Sequence, residues 1–385
     1  MVKNVMRASD IRTHNINLVL SEIYKCREEG ISQSSLVNLT GLKAPTLFRI
    51  FSELENRDLI RPIKKEVKEE GKKGRKPLLY TVNESSLYSI AVEFWAGVIL
   101  IGLFNFKLKR IASISLSINE ELDITQVISM IVKNINSLIE EHEIDKEKII
   151  GVSVAAPGCV DIDNGMVIDY PRIKGLNHYP LSEVLEKELD LFVIIHNNCS
   201  ALAYGEYLYG NYKDEKGLFS FLLRRGVNGA LVSENGIYIT PDKVTLETGH
   251  IPISLDGPVC TCKGRGCLQA YVLELDSNPN TPIFSSLEDK VKNKDPEALA
   301  ILDKAAQYLS VGIRNIKILL TPSTILIECS SDIIAKELTK LIRKRVDKLV
   351  EDGVISDVKI YGKEYESIMT QKGAVEILMK HYFSN

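Results

Sequence analysis

The sequence predicts an α/β protein, with a winged helix-turn-helix over residues 1–85 and a two-lobed α/β body with a structural zinc site over residues 86–385. Three observations predict it. Apolar side chains recur at helical spacing on both sides of a Thr40-Gly41 turn, and apolar strand runs alternate with helical stretches after residue 86. The stretch LETGHIPISLDGPVCTCKGRGCLQ then gathers His250, Cys260, Cys262 and Cys267.

In the N-terminal part, Ile16, Val19, Leu20 and Ile23 set a first helix over 11–29, ended by Gly30. Ser32 is placed to cap a short second helix carrying Leu36 and Val37. A third helix over 43–56 buries Leu47, Ile50, Phe51 and Leu54, with Pro45 tolerated in its first turn. Lys43 stands at its start, and Thr46, Phe48, Arg49 and Ser52 face outward. Thr and Arg near the start of such a helix are side chains that reach phosphates and base edges in a major groove. Phe48 has two readings, contact with a thymine methyl or packing against the first helix or wing.

Residues 59–65 and 78–82 alternate as the two strands of a wing, with KEEGKKGRKP between them. There Lys72, Lys73, Arg75 and Lys76 are interleaved with glycines, a pattern shared by solvated charge runs and by arginine hooks that enter a narrow A·T-rich minor groove. Following a helix-turn-helix directly, it points to DNA. Charge agrees with that reading: residues 1–85 hold 16 Lys+Arg against 11 Asp+Glu, a net +5, whereas the remainder holds 32 against 40, a net −8.

In the body, SIAVEF, GVILIGLF, IIGVSVAAPG and FVIIHNN read as strands, and 123–142, 181–189 and 198–209 as helices, the rhythm of two similar lobes. Residues 315–327 and 333–351 continue it. One imidazole and three thiolates form a closed tetrahedral zinc set with no position for water, so a structural role is expected. The other four cysteines are scattered singly, which fits a reducing compartment better than a disulfide framework. No apolar run reaches the length of a membrane span, and the N-terminus carries no signal-like segment, so a cytoplasmic, nucleoid-associated protein is expected.

GVSVAAPGCVD, DYPRIKGLNHYPL, HNNCSALAYGE, and ETGH followed by CxCxxxxC together resemble the ROK family of sugar kinases and sugar-responsive repressors. The resemblance covers essentially the whole chain, including the winged helix and GRKP wing of the repressor branch. It implies a ribonuclease-H-like, actin-like sugar-kinase fold with a sugar cleft between the lobes. It also implies that Glu247 and His250 contact sugar hydroxyls, His250 ligating zinc as well.

The chain departs from the family's kinase pattern in three places. Where kinases carry an Asp-x-Gly-Gly-Thr phosphate loop, this chain has VEFWAG, residues 92–97; Glu93 is expected to repel phosphate, and Phe94 and Trp95 to obstruct its approach. The catalytic aspartate of the family's Asn-Asp pair is replaced in Asn197-Asn198, and a carboxamide cannot serve as general base. Glu328-Cys329-Ser330 replaces the glycine pair beside adenosine, while Gly226 and Gly229 of the second phosphate loop remain.

The expected sugar-binding residues are therefore Asn197, Asn198, Glu247, His250 and Gln269, with no catalytic residue. Arg172 has two readings, a contact to an anionic sugar or a surface salt bridge. The resemblance implies a sugar-responsive regulator, most simply a repressor of a carbohydrate-catabolic operon such as one for xylose. Its expected partners are a palindromic, A·T-rich double-stranded operator, a small sugar that closes the cleft, and a second copy in a homodimer or a tetramer. The alternatives are an active sugar kinase with an added head and a DNA-bound regulator controlled by a partner protein.

Overall fold

The computed structural model describes residues 8–63, 78–119, 121–276 and 281–385. The N-terminal unit contains α1 (Ala8–Lys25), β1 (Ile31–Ser32), α2 (Gln33–Thr40), α3 (Ala44–Asn56), β2 (Ile60–Ile63) and β3 (Leu79–Val82), with its strands ordered β1-β3-β2. Helix α1 is shorter at its end than the sequence pattern suggests. It stops at Lys25 and the chain turns through residues 26–29, so Arg27 lies buried in the turn instead of on a helical face. Ser32 caps α2 by accepting from the Ser35 amide at 3.1 Å, and Gly41 takes the left-handed conformation at φ +68°, as that turn requires.

The body contains two sheets of one design. The first lobe has β4 (Tyr88–Trp95), β5 (Val98–Asn105), β6 (Arg110–Ser117), α4 (Ile124–Glu141), β7 (Ile149–Ala156), the ribbon β8 (Cys159–Asp161) and β9 (Met166–Asp169), α5 (Leu181–Leu189) and β10 (Val193–Asn197). Helix α6 (Asn198–Tyr209) then leads to the second lobe: β11 (Leu218–Leu223), β12 (Val227–Ser233), β13 (Gly236–Ile237), α7 (Leu268–Leu273), α8 (Glu288–Lys292), α9 (Pro296–Leu320), β14 (Thr324–Cys329), α10 (Asp332–Glu351) and β15 (Lys359–Glu364). Helix α11 (Ser367–Ser384) returns to the first lobe.

The five-stranded orders are β6-β5-β4-β7-β10 and β13-β12-β11-β14-β15, each an antiparallel meander joined by parallel pairing to two further strands. Parallel pairs require helical crossovers, which explains why continuous apolar runs such as IIGVSVAA alternate with helices. Residues 315–327 are the end of α9 plus most of β14, two elements instead of one. Each lobe has its own apolar core, and the core of the N-terminal unit continues through Phe104 and Phe106 to Ala374 and Ile377 of α11. Among the described residues, no helix is long and apolar enough to cross a membrane.

Candidate functional site

A cavity of about 220 Å³ lies between the lobes, where strand ends and the loops that follow them converge. The first lobe offers Trp95, Tyr170, Arg172 and Asn198, and the second offers Arg224, Glu247, His250 and Gln269. The structure thus brings together all five residues read from the sequence as sugar-binding.

They are not equivalent. Asn197 caps α6: its carbonyl oxygen accepts from the Cys199 amide at 2.8 Å and the Ser200 amide at 3.4 Å, and its NH2 donates to the Gly158 carbonyl at 2.6 Å. Asn197 thus serves as the cap of α6 while lining the cavity beside Asn198. The signal was available, since Asn is among the strongest N-cap residues where a strand runs into a helix. Gln269 is also engaged, its Oε1 accepting from the Val227 amide at 3.0 Å and holding the β11–β12 turn.

Glu247 keeps its second oxygen for the cavity. One oxygen accepts from the Asn228 NH2 at 3.3 Å, and the other lies 3.9 Å from His250 Nε2. Burial first, then the negative charge of Asp169, pushes its carboxyl up to about 7, against the hydrogen bond from Asn228.

The opposite ring nitrogen of His250, Nδ1, is 3.3 Å from Cys260 Sγ, and Cys262 Sγ is 3.7 Å from Cys267 Sγ. The four ligand atoms all lie within 4.8 Å of one another. A tetrahedral zinc with Zn–S bonds of about 2.3 Å and Zn–N of about 2.0 Å separates its ligands by roughly 3.5–3.8 Å, so the donor set and its spacing fit such an ion. Gly266 makes the fold of this loop possible, because at φ +71° a Cβ would sit 1.8 Å from the Ser254 carbonyl oxygen.

The surroundings of Glu93 correct one sequence expectation. Glu93 is fully buried, but its charge does not face an open phosphate position. It accepts from Arg224 Nη1 at 2.8 Å and from the Tyr365 hydroxyl at 2.5 Å. Arg224 lies 3.6 Å from the centroid of Trp95, and the neighbouring Arg225 donates to the Ala96 carbonyl at 2.8 Å. Phe94 points into the first-lobe core and obstructs nothing. Arg224 and Arg225 were missed because Arg224 meets Glu93 across 131 residues of chain.

On the N-terminal unit, Thr46, Phe48 and Arg49 are exposed on α3, Lys43 is exposed just before it, and Ser52 is half-buried. Phe48 is 64% exposed, so of its two readings packing against the described part of the unit is not the one observed. Arg12 joins this face through an ion pair with Glu53 at 2.7 Å. Lys72, Lys73, Arg75 and Lys76 lie outside the described residues.

The xylose repressor of Bacillus spizizenii is 24% identical over 327 residues, covering 83% of each chain. Among solved structures, a ROK family transcriptional regulator described as a homolog of the E. coli MLC protein superposes with a TM-score of 0.75 at 20% identity, covering 97% of this chain and 96% of that one. A ROK family glucokinase from Streptomyces griseus, in complex with glucose and AMPPNP, covers 75% of this chain and 98% of its own at a TM-score of 0.64 and 19% identity. The kinase matches the body, whereas the regulator also spans the N-terminal unit. Residues 117–379 match the ROK family itself, and with the two-lobed fold around the cleft this establishes that the chain belongs to the ROK family.

Proposed function

We propose that this protein is a sugar-responsive transcriptional repressor without kinase activity, residues 1–85 acting as a winged helix-turn-helix and residues 86–385 as sensor and dimerisation domain. The observation that carries the proposal is the pairing of an outward Thr46, Phe48 and Arg49 face on α3 with a cleft in which Arg224 is tied to the buried Glu93. The repressor names of the relatives support it.

In this reading α3 enters the major groove, with Lys43 and Thr46 on phosphates, Arg49 on a base edge and Phe48 on a thymine methyl. Lys72, Lys73, Arg75 and Lys76 hold the flanking A·T-rich minor groove. The operator is palindromic and the protein dimeric, in the cytoplasm. Asn198, Glu247 and His250 bind hydroxyls of a small sugar, xylose being the first candidate from the relatives. His250, Cys260, Cys262 and Cys267 hold a structural zinc that fixes the cleft wall while His250 presents its other nitrogen to the ligand.

Titration of full-length protein against an operator selected from a random duplex library, with and without D-xylose or D-glucose, tests the reading. Affinity is expected to fall steeply with salt. Arg49→Ala is expected to cost about 1–3 kcal/mol of specific binding. Affinity no better than for random duplex refutes a repressor.

A further inference from the structure

We infer that Arg27 is the positioning residue through which helix α6 transmits the state of the cleft to the DNA-binding unit, by way of Tyr209 and Glu376. The inference rests on the proposed repressor function and identifies the route by which its two sites communicate.

Helix α6 has its first turn at the cleft, where Asn197 caps it and Asn198 lines the cavity, and its last residue is Tyr209. Its 12 residues span about 18 Å. It is fastened to α11 with no slack: a Cβ on Gly205 would lie 2.0 Å from the Met369 carbonyl oxygen, and one on Gly373 would lie 1.8 Å from the Ala201 carbonyl oxygen. Backbones in such contact move together, because a close-packed interface does not deform gradually.

At the far end of this pair, one carboxylate oxygen of Glu376 on α11 accepts from the Tyr209 hydroxyl, from Arg27 Nη2 at 2.9 Å and from the Tyr24 hydroxyl at 3.0 Å. Arg27 Nη2 also donates to the Tyr209 hydroxyl at 2.5 Å, and its Nη1 donates to the Tyr24 carbonyl at 3.0 Å. Arg27 thus meets α6, α11 and α1 at once. Its own carbonyl accepts from Thr81 on β3 at 2.6 Å, which extends the connection to the sheet of the N-terminal unit.

The arginine and glutamate side chains are only 9% and 12% exposed, and Phe106 and Phe383 pack on the Tyr24 ring at centroid distances of 5.6 and 5.4 Å. In surroundings of that kind charge-assisted hydrogen bonds are strong and intolerant of misalignment. A sugar hydroxyl bonded to Asn198 biases the first turn of α6, and displacement of the rod is registered at Tyr209. Either site shifts the equilibrium only by its differential contacts in the two arrangements.

Tyr209→Phe removes the hydroxyl alone and tests the route. Operator affinity is measured by fluorescence anisotropy with and without D-xylose and D-glucose, and sugar affinity by calorimetry. Wild type is expected to lose operator affinity about 5–150-fold with the active sugar. The variant is expected to keep its sugar-free operator affinity and its sugar affinity within about twofold, while its response falls below about threefold. Arg27→Lys, which retains charge but not the fork, is expected to do the same.

A Tyr209→Phe protein that responds with the wild-type ratio overturns the inference, as does one whose operator affinity drops equally with and without sugar. If that variant does not fold by circular dichroism, Glu376→Gln is measured by the same criteria. A wild type that binds operator but ignores every sugar tested removes the functional reading first and the route with it.

Discussion

The two sides of the interlobe crevice use their polar groups differently. On the side of the His250, Cys260, Cys262 and Cys267 cluster, Glu247 and Asn198 line the cavity, with Asn228 donating to Glu247, Asn197 capping α6 and Gln269 accepting from the Val227 amide. On the other side, Glu93, Arg224 and Tyr365 satisfy one another across the lobes beneath Trp95. Unsatisfied polar groups at a concave surface await a ligand, whereas satisfied ones replace it.

Metal removal is the strongest way to break the contrast. Cys262→Ser, or chelation, is expected to destabilise the second lobe by on the order of 5 kcal/mol, part of the roughly 10–16 kcal/mol that structural zinc supplies in small domains. Sugar response is expected to vanish with it, because His250 belongs to the candidate metal cluster and also lines the cavity. Plasma emission analysis of protein from zinc-replete cells should give one zinc per chain; none would remove the site.

Breaking the filled side comes next. Arg224→Ala leaves the fully buried Glu93 with only the Tyr365 hydroxyl and is expected to cost about 3–5 kcal/mol in denaturant unfolding. A loss below about 1 kcal/mol would mean that water and ions reach this region freely. Calorimetry with Mg-ATP is expected to show no binding to wild type, and tight binding would return a kinase to consideration.

Glu247→Ala sharpens the open side. The variant is expected to weaken sugar binding roughly 10- to 100-fold, the worth of a hydrogen bond to a charged group, while leaving operator affinity unchanged. Unaltered sugar affinity would move the ligand away from the Glu247 and His250 wall.

Much of this arrangement is legible along the chain, because its signals are local. The third-helix stripe of Leu47, Ile50, Phe51 and Leu54, the Ser32 cap, the parallel-strand runs and the Cys-x-Cys loop each depend on neighbours within a few residues. What was illegible depends on partners far apart. Glu93 reads as a repelling charge until Arg224 is beside it, and no local pattern signals that Arg27 meets Glu376, 349 positions away. Helix α11, which carries Glu376, has weak apolar periodicity because it is covered on several sides, by α6, by β4 and β7 and by α1.

The smallest expected effect concerns Glu328, one of the residues at which the sequence departs from the kinase pattern that the resemblance implies. It is fully buried on β14, one oxygen accepting from the Ser220 hydroxyl at 2.5 Å and the other without a partner. Burial first, then the nearby Glu206, pushes its carboxyl well above the usual range, against the Ser220 hydrogen bond and the charge of Lys363, with Glu366 adding to the rise. A folded carboxyl that holds its proton more tightly than the unfolded one contributes most below the ordinary carboxylate range of about 4. As pH rises, the unfolded chain ionises first and that contribution is lost progressively toward the folded pKa. Glu328→Gln, which keeps the shape and cannot ionise, is therefore expected to stabilise the protein by on the order of 1 kcal/mol at pH 8 and by nothing at pH 4. Thermal melts across that interval check it. Destabilisation at pH 8 would mean that Glu328 is ionised in the folded protein, held by the nearby charge of Lys363.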